Sequence, residues 1–167
     1  MTSVPETISI LKGLIVACHA TEQACDRFAE ATKDPKVKSV WREMMQQQGK
    51  MARELDQAVV RLGGDPRHGG VAGTSRLFWT AAEAAKDSAS HVAGGPCDEA
   101  QREVYRRALQ ADLPQNVHML VQRQHVDISA IRERVRQLEQ AQSEQAGGKV
   151  KTKLSRPGPR AETWFDL

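Results

Sequence analysis

Three segments of this chain carry apolar residues at helical spacing, and each stripe is interrupted near its middle by a polar side chain. The first stripe consists of Ile8, Leu11, Ile15, Cys18, Glu22, Cys25 and Ala29. The second consists of Val37, Val40, Met44, Gln47 or Gln48, Met51, Leu55 and Leu62. The last consists of Val117, Val121, Gln124, Ile128, Ile131, Val135 and Leu138. This spacing places each set on one face of a helix and predicts packed helices. The polar positions predict a buried polar layer, which costs stability unless its members find partners or a metal.

The composition sets the class of protein. The 167 residues are 40% hydrophobic and 27% charged, as expected for one folded domain. The net charge of +3 arises largely from lysines and arginines after residue 148, so we expect no nucleic-acid-binding face. No signal peptide and no membrane-length apolar run is present, which predicts a cytoplasmic protein without membrane contact.

The three cysteines do not form a disulfide pattern. Cys18 and Cys25 are two turns apart on one helix, roughly 10 Å by helical rise, which is too far for a bond between them. Cys97 has no neighbouring cysteine in the sequence. Buried thiols in a reducing compartment are the expected state of these residues.

Turn signals divide the chain into helices. The predicted helices run from about Pro5 to Thr32, Pro35 to Leu62, Ser75 to Ser90, Asp98 to Gln110 and Gln115 to Gln142. Short turns join the first two and the last two long helices, so each pair is predicted to be an antiparallel hairpin. Two hairpins joined by a long crossover with a short extra helix form the ferritin-like version of the four-helix bundle. We therefore predict an all-α bundle over residues 1–146, followed by a flexible basic tail over residues 147–167.

The polar layer could be a metal centre or a hydrogen-bonded network. A di-iron bundle needs carboxylates from all four helices and two Glu-x-x-His pairs. The ligands available to such a site would be His19, Glu22, Glu99 and His125. Gln47 and Gln122 provide amides at positions where carboxylates would be required. The sequence therefore favours a network in which Glu22 accepts hydrogen bonds from Gln47 or Gln48 and from Gln124, with no metal cofactor.

The end of the chain has the form of a docking peptide. Trp164 and Phe165 are two of the seven aromatic residues, and Leu167 is the last residue of the sequence. Aromatic anchors on a flexible basic linker are typical of segments captured by another protein, so a partner for this tail is one hypothesis. The alternative is that these residues fold back onto the bundle.

Several short motifs resemble a bacterial family of ferritin-like four-helix-bundle proteins classed as a domain of unknown function. These motifs are Lys33-Asp34-Pro35, Arg53-Glu54-Leu55, Arg61 to Pro66, Val71-Ala72-Gly73 with Trp79, Tyr105 to Leu109, and Asp112-Leu113-Pro114. The resemblance covers roughly residues 5–140 and implies the two-hairpin bundle without implying an activity. Members often carry Glu where this chain has Gln47, which removes an acidic group from the polar layer.

Three functional hypotheses follow from the sequence. We favour a non-enzymatic bundle, since the sequence shows no nucleophile with a nearby base. Such a bundle would act through protein contacts as a homo-oligomer, a dimer. Leu77, Phe78 and Trp79 are a source of apolar surface for such contacts. The alternatives are an iron-binding bundle with storage or peroxide chemistry, and an adaptor or cargo protein addressed by its tail.

Overall fold

The described part of the chain is all-α, as predicted. The computed structural model describes residues 2–67 and 96–152, with the backbone alone for residues 96–98, 100 and 148–152. The four helices are α1 (Val4–Ala31), α2 (Pro35–Arg61), α3 (Pro96–Gln110) and α4 (Gln115–Thr152). The helix predicted near residues 75 to 90 and the docking tail Trp164, Phe165 and Leu167 lie outside the described residues, so both stay predictions.

The four helices pack as a ring. Helix α1 lies beside α2 and α3, and α4 lies beside the same two helices. Neighbouring helices run antiparallel: the amide of Thr2, before α1, donates to the carbonyl of Asp112, just after α3. Along α2 and α4, Glu54 pairs with Arg123 and Glu43 pairs with Arg134. Among the described helices, α2 and α3 occupy opposite corners of this ring.

The sequence around each turn explains where the helices begin and end. Ser3 and Glu6 form a capping box at the start of α1, and the Asp34 carboxylate accepts from the first amides of α2. Helix α2 ends in a Schellman motif, in which the amides of Gly63 and Gly64 donate to the carbonyls of Val60 and Val59. Gly63 has a φ of 81°, a left-handed conformation that favours glycine.

Helix α4 is longer than the sequence predicted. It continues to Thr152, ten residues past the predicted end at Gln142 and through the Gly147-Gly148 pair. The prediction that the helix is over by Gly147 was therefore wrong. A glycine costs a helix interior about 1 kcal/mol relative to alanine, but an established helix gains a hydrogen bond with each added residue and can pass through it.

Among the described residues the apolar core consists of two large clusters, beside a small group around Ala17. The larger one contains Leu11, Leu14, Leu55, Val59, Val117 and Val121, towards the end where α1 begins. The other contains Cys25, Ala29, Val37, Trp41, Ile131 and Val135, and the rings of Phe28 and Trp41 lie 4.9 Å apart in it. On α2, fully buried Gln48 lies between Met44 of the second cluster and Met51 of the first. The polar layer therefore lies where the two clusters meet.

Candidate hydrogen-bonded polar layer

Tyr105 joins three helices at the centre of the bundle. This fully buried side chain reaches from α3 to Cys18 on α1, with 3.3 Å between the hydroxyl oxygen and the sulfur. The same hydroxyl lies 3.0 Å from the amide oxygen of Gln124 on α4. Gln124 is also fully buried, so the contact is shielded from water.

Gln124 extends this chain of contacts to α2. Its amide nitrogen donates to the backbone carbonyl of Met51 at 3.3 Å and to a carboxylate oxygen of Glu54 at 3.0 Å. The guanidinium of Arg123 donates to the same carboxylate oxygen at 2.6 Å. Hydrogen bonds thus link all four helices, from the buried thiol of Cys18 to a half-buried carboxylate at the edge of the bundle.

The direction of these hydrogen bonds follows from the donors present. Because the nitrogen of Gln124 serves Met51 and Glu54, its oxygen must accept, and the hydroxyl proton of Tyr105 points to it. The Cys18 thiol then donates to the tyrosine oxygen. This assignment requires both the thiol and the phenol to keep their protons.

Burial keeps those protons in place. Loss of water raises the pKa of the Cys18 thiol to about 12, although the hydrogen bond with Tyr105 acts in the opposite direction. Burial also raises the pKa of Tyr105, and the adjoining Cys18 adds to that effect. Neither group is a thiolate or phenolate nucleophile near neutral pH.

A second row of hydrogen bonds crosses the bundle from α4 to α2. The guanidinium of Arg132, which is 7% exposed, donates to the side-chain oxygen of Gln101 at 2.7 Å. The Gln101 nitrogen donates to the oxygen of Gln48, also at 2.7 Å. The nitrogen of Gln48 has no hydrogen-bond partner within the described part of the chain, where this row ends.

The structure separates the other residues that the sequence placed in the polar layer. The Glu22 side chain is 37% exposed, and its carboxylate lies 3.3 Å from the His19 ring rather than bonded to Gln48 or Gln124. Gln47 is partly buried. Glu22 lies instead over Gly49, where an added Cβ would come within 3.1 Å of its carboxylate oxygen. The predicted hydrogen bonds from the amides to Glu22 are therefore replaced by bonds to Gln101, Tyr105 and Glu54.

The residues available to a di-iron centre do not converge. His19 is 55% exposed on α1, Glu99 is exposed on α3, and His125 is partly buried on α4, where its ring stacks with that of Tyr105 at 6.3 Å. Within residues 2–67 and 96–152, no three His, Cys, Asp or Glu side chains are grouped as metal ligands. The buried positions hold amides, a phenol, a thiol and a guanidinium, which do not fit a pair of iron ions.

The sequence did not predict four members of the polar layer. Tyr105, Gln101, Glu54 and Arg132 supply the partners of the two predicted amides, Gln48 and Gln124. The spacing of Gln101, Tyr105 and Ala108 places all three on one face of α3, and this signal could have found the first two. Glu54 and Arg132 have the residue types of a solvated surface, so nothing in the sequence pattern marked them as interior partners.

A comparison with models of protein families shows which family this chain belongs to. The model of a domain of unknown function, DUF2383, matches residues 6–111. The chain belongs to the DUF2383 family. The match includes Cys18, Gln48 and Tyr105, whereas all of α4, with Gln124 and Arg132, lies after the matched residues. The DUF2383 match thus contains α2, α3 and all of α1 except its first two residues, and hydrogen bonds of the polar layer join these helices to α4.

Other comparisons add little to this assignment. No curated protein matches the sequence. Among the described residues, no helix has both the length and the apolar character needed to cross a membrane.

Proposed function

We propose that this DUF2383 member is a cytoplasmic, ferritin-like four-helix bundle with a structural polar layer, which acts through protein contacts as a homodimer. The ring of antiparallel helices, with α2 and α3 at opposite corners, supports the ferritin-like connection. Cys18 and Cys25 are buried thiols that take part in no disulfide, which fits a reducing compartment.

The observation that carries this proposal is the hydrogen bonding of Tyr105. Its hydroxyl is held between Cys18 and Gln124, and the fixed direction of both bonds leaves neither Tyr105 nor Cys18 poised to transfer a proton to a substrate. A polar layer of this kind fixes the register in which helices pack. The interior therefore supports a structural role, and activity is expected at the surface.

Exposed apolar side chains on α4 suggest one contact surface. Met119 and Val126 are 63% and 59% exposed. They are seven residues apart, so they lie on one stripe of the helix. In an antiparallel pairing of two α4 helices, Met119 of each copy would pack against Val126 of the other, which is the self-complementary contact of a two-fold dimer.

Sedimentation velocity over a range of protein concentrations tests this proposal. We expect a dimer for the unchanged chain and a monomer for the double variant Met119→Glu with Val126→Glu. Val60→Glu, at an equally exposed apolar position on α2, is the matched control and should leave the dimer intact. A chain that stays monomeric at all concentrations would contradict the homodimer.

Iron binding is the second candidate, and the contact between His19 and Glu22 is the observation that favours it. Two ligands one turn apart could hold an ion only if other ligands came from outside the described residues. Metal analysis after iron loading distinguishes the two candidates. Less than about 0.2 iron per chain would rule out a site that needs one or two ions.

A further inference from the structure

An ion pair lies beside the exposed apolar stripe of α4. The guanidinium of Arg123 donates to a carboxylate oxygen of Glu54 on α2 at 2.6 Å. In the sequence, Arg123 falls between Met119 and Val126, the two exposed apolar residues of this stripe. Its side chain is 56% exposed, whereas that of Glu54 is 26% exposed. The stripe therefore has a cationic group near its middle, and a carboxylate from the adjacent helix neutralises it.

The polar layer holds Glu54 in this position. The amide nitrogen of Gln124 donates to the same carboxylate oxygen at 3.0 Å, and the amide oxygen of Gln124 accepts from Tyr105 at 3.0 Å. Both Gln124 and Tyr105 are fully buried, so the group that orients the carboxylate is fixed by packing. The negative charge beside Arg123 is thus supplied by a side chain that is anchored in the bundle.

The dimer proposed above would bring this ion pair next to its own copy. When Met119 of one α4 packs against Val126 of another in an antiparallel pair, the two-fold axis crosses α4 midway between them, at residues 122 and 123. Arg123 lies four residues after Met119, about 40° around the helix, so it stays on the face that meets the other copy. Each copy would therefore bring the guanidinium of Arg123 to the centre of the interface.

Two guanidinium groups at the centre of an interface repel each other, and the repulsion grows as water is excluded. We propose that Glu54 is the residue that permits the two α4 helices to pair, because its carboxylate neutralises Arg123 beside the two-fold axis. This inference rests on the homodimer proposed above and assigns the polar contact of the same interface. The interface would then consist of two contacts between Met119 and Val126, on either side of two neutralised guanidinium groups.

Sedimentation velocity on Glu54→Gln, alone and combined with Arg123→Gln, tests the proposal. Glu54→Gln removes the charge but keeps an oxygen that can accept from Gln124, and the dimer should weaken at least about tenfold at low salt. Salt at about 0.5 M should reduce this difference, because screening weakens the repulsion. Adding Arg123→Gln removes the repelling groups and should restore the dimer. A second substitution would not restore a dimer that was lost because the fold was destabilised.

Glu43→Gln is the matched control. Glu43 forms the other ion pair between α2 and α4, 2.8 Å from Arg134, but Arg134 lies about three turns beyond Arg123 and away from the two-fold axis. This variant should dimerise as the unchanged chain does. Equal dimer affinities for Glu54→Gln and Glu43→Gln would overturn the inference and leave the homodimer standing, and so would a Glu54→Gln variant that Arg123→Gln does not restore. An unchanged chain that is monomeric at every concentration would instead contradict the homodimer and this inference together.

Discussion

Two buried side chains determine the chemistry of the interior. Tyr105 and Cys18 are shielded from water, and burial raises the pKa of both side chains. The interior therefore keeps neutral donors and acceptors around Tyr105, with Glu54 and Arg123 forming the charged contact at its edge. At the residue scale, this part of the polar layer holds its protons near neutral pH.

The first prediction concerns the reactivity of Cys18. Because burial raises its pKa to about 12, we expect iodoacetamide at pH 8 to label Cys18 at least a hundredfold more slowly in the folded chain than in urea. Peptide mass spectrometry measures this site by site. Equal labelling rates in the two conditions would show that the thiol is not enclosed as described.

The second prediction concerns His125 and pH. Burial, followed by the charges of Arg102 and Arg132, lowers the pKa of His125 below its ordinary value of 6.5. The unfolded chain therefore takes up this proton first as the pH falls, so stability is full above about pH 6.5 and declines below it, towards the folded pKa. Urea unfolding between pH 7.5 and 5 should show a smaller decline for His125→Gln than for the unchanged chain. Parallel declines would contradict this account.

At the scale of helices, local sequence signals predict where a helix begins better than they predict which residues it contacts on other helices. Ser3 with Glu6 and Asp34 with Pro35 are start signals that read directly from the sequence, and α1 and α2 begin at them. The end of α4 was missed because two glycines are a local stop signal, whereas continuation depends on the whole helix. Partners across the bundle were missed because a single sequence does not show which faces meet.

The third prediction compares two glycines at close helix contacts. A Cβ on Gly49 would lie 3.1 Å from a carboxylate oxygen of Glu22, which is partly exposed and can rotate away. Gly49→Ala should therefore gain about 0.5–1 kcal/mol from lower entropy in the unfolded chain. A Cβ on Gly64 would lie 2.9 Å from a methyl of Val59 and 3.0 Å from one of Ile8, so Gly64→Ala should lose about 1–3 kcal/mol. Urea denaturation measures both, and the same sign for both would contradict the packing described.

At the scale of the molecule, the polar layer joins helices that the sequence order keeps apart. Helix α4 lies after the residues matched by the DUF2383 model, yet Gln124 on α4 bonds to side chains of both α2 and α3. A hydrogen-bonded layer that requires one partner from each helix disfavours other registers, because a slipped helix would leave buried polar groups unpaired. These side chains therefore act as one coupled unit.

A double-mutant cycle on Tyr105 and Gln124 tests this claim most directly, with unfolding free energies from urea denaturation. Tyr105→Phe and Gln124→Leu should each cost about 1–3 kcal/mol, since each leaves buried polar groups without a partner. The double variant should cost less than the sum of the two, by about 1 kcal/mol or more. Gln122→Leu, at an exposed position on the same helix, is the control and should change stability by less than about 0.5 kcal/mol. Additive losses from Tyr105→Phe and Gln124→Leu would contradict a coupled polar layer.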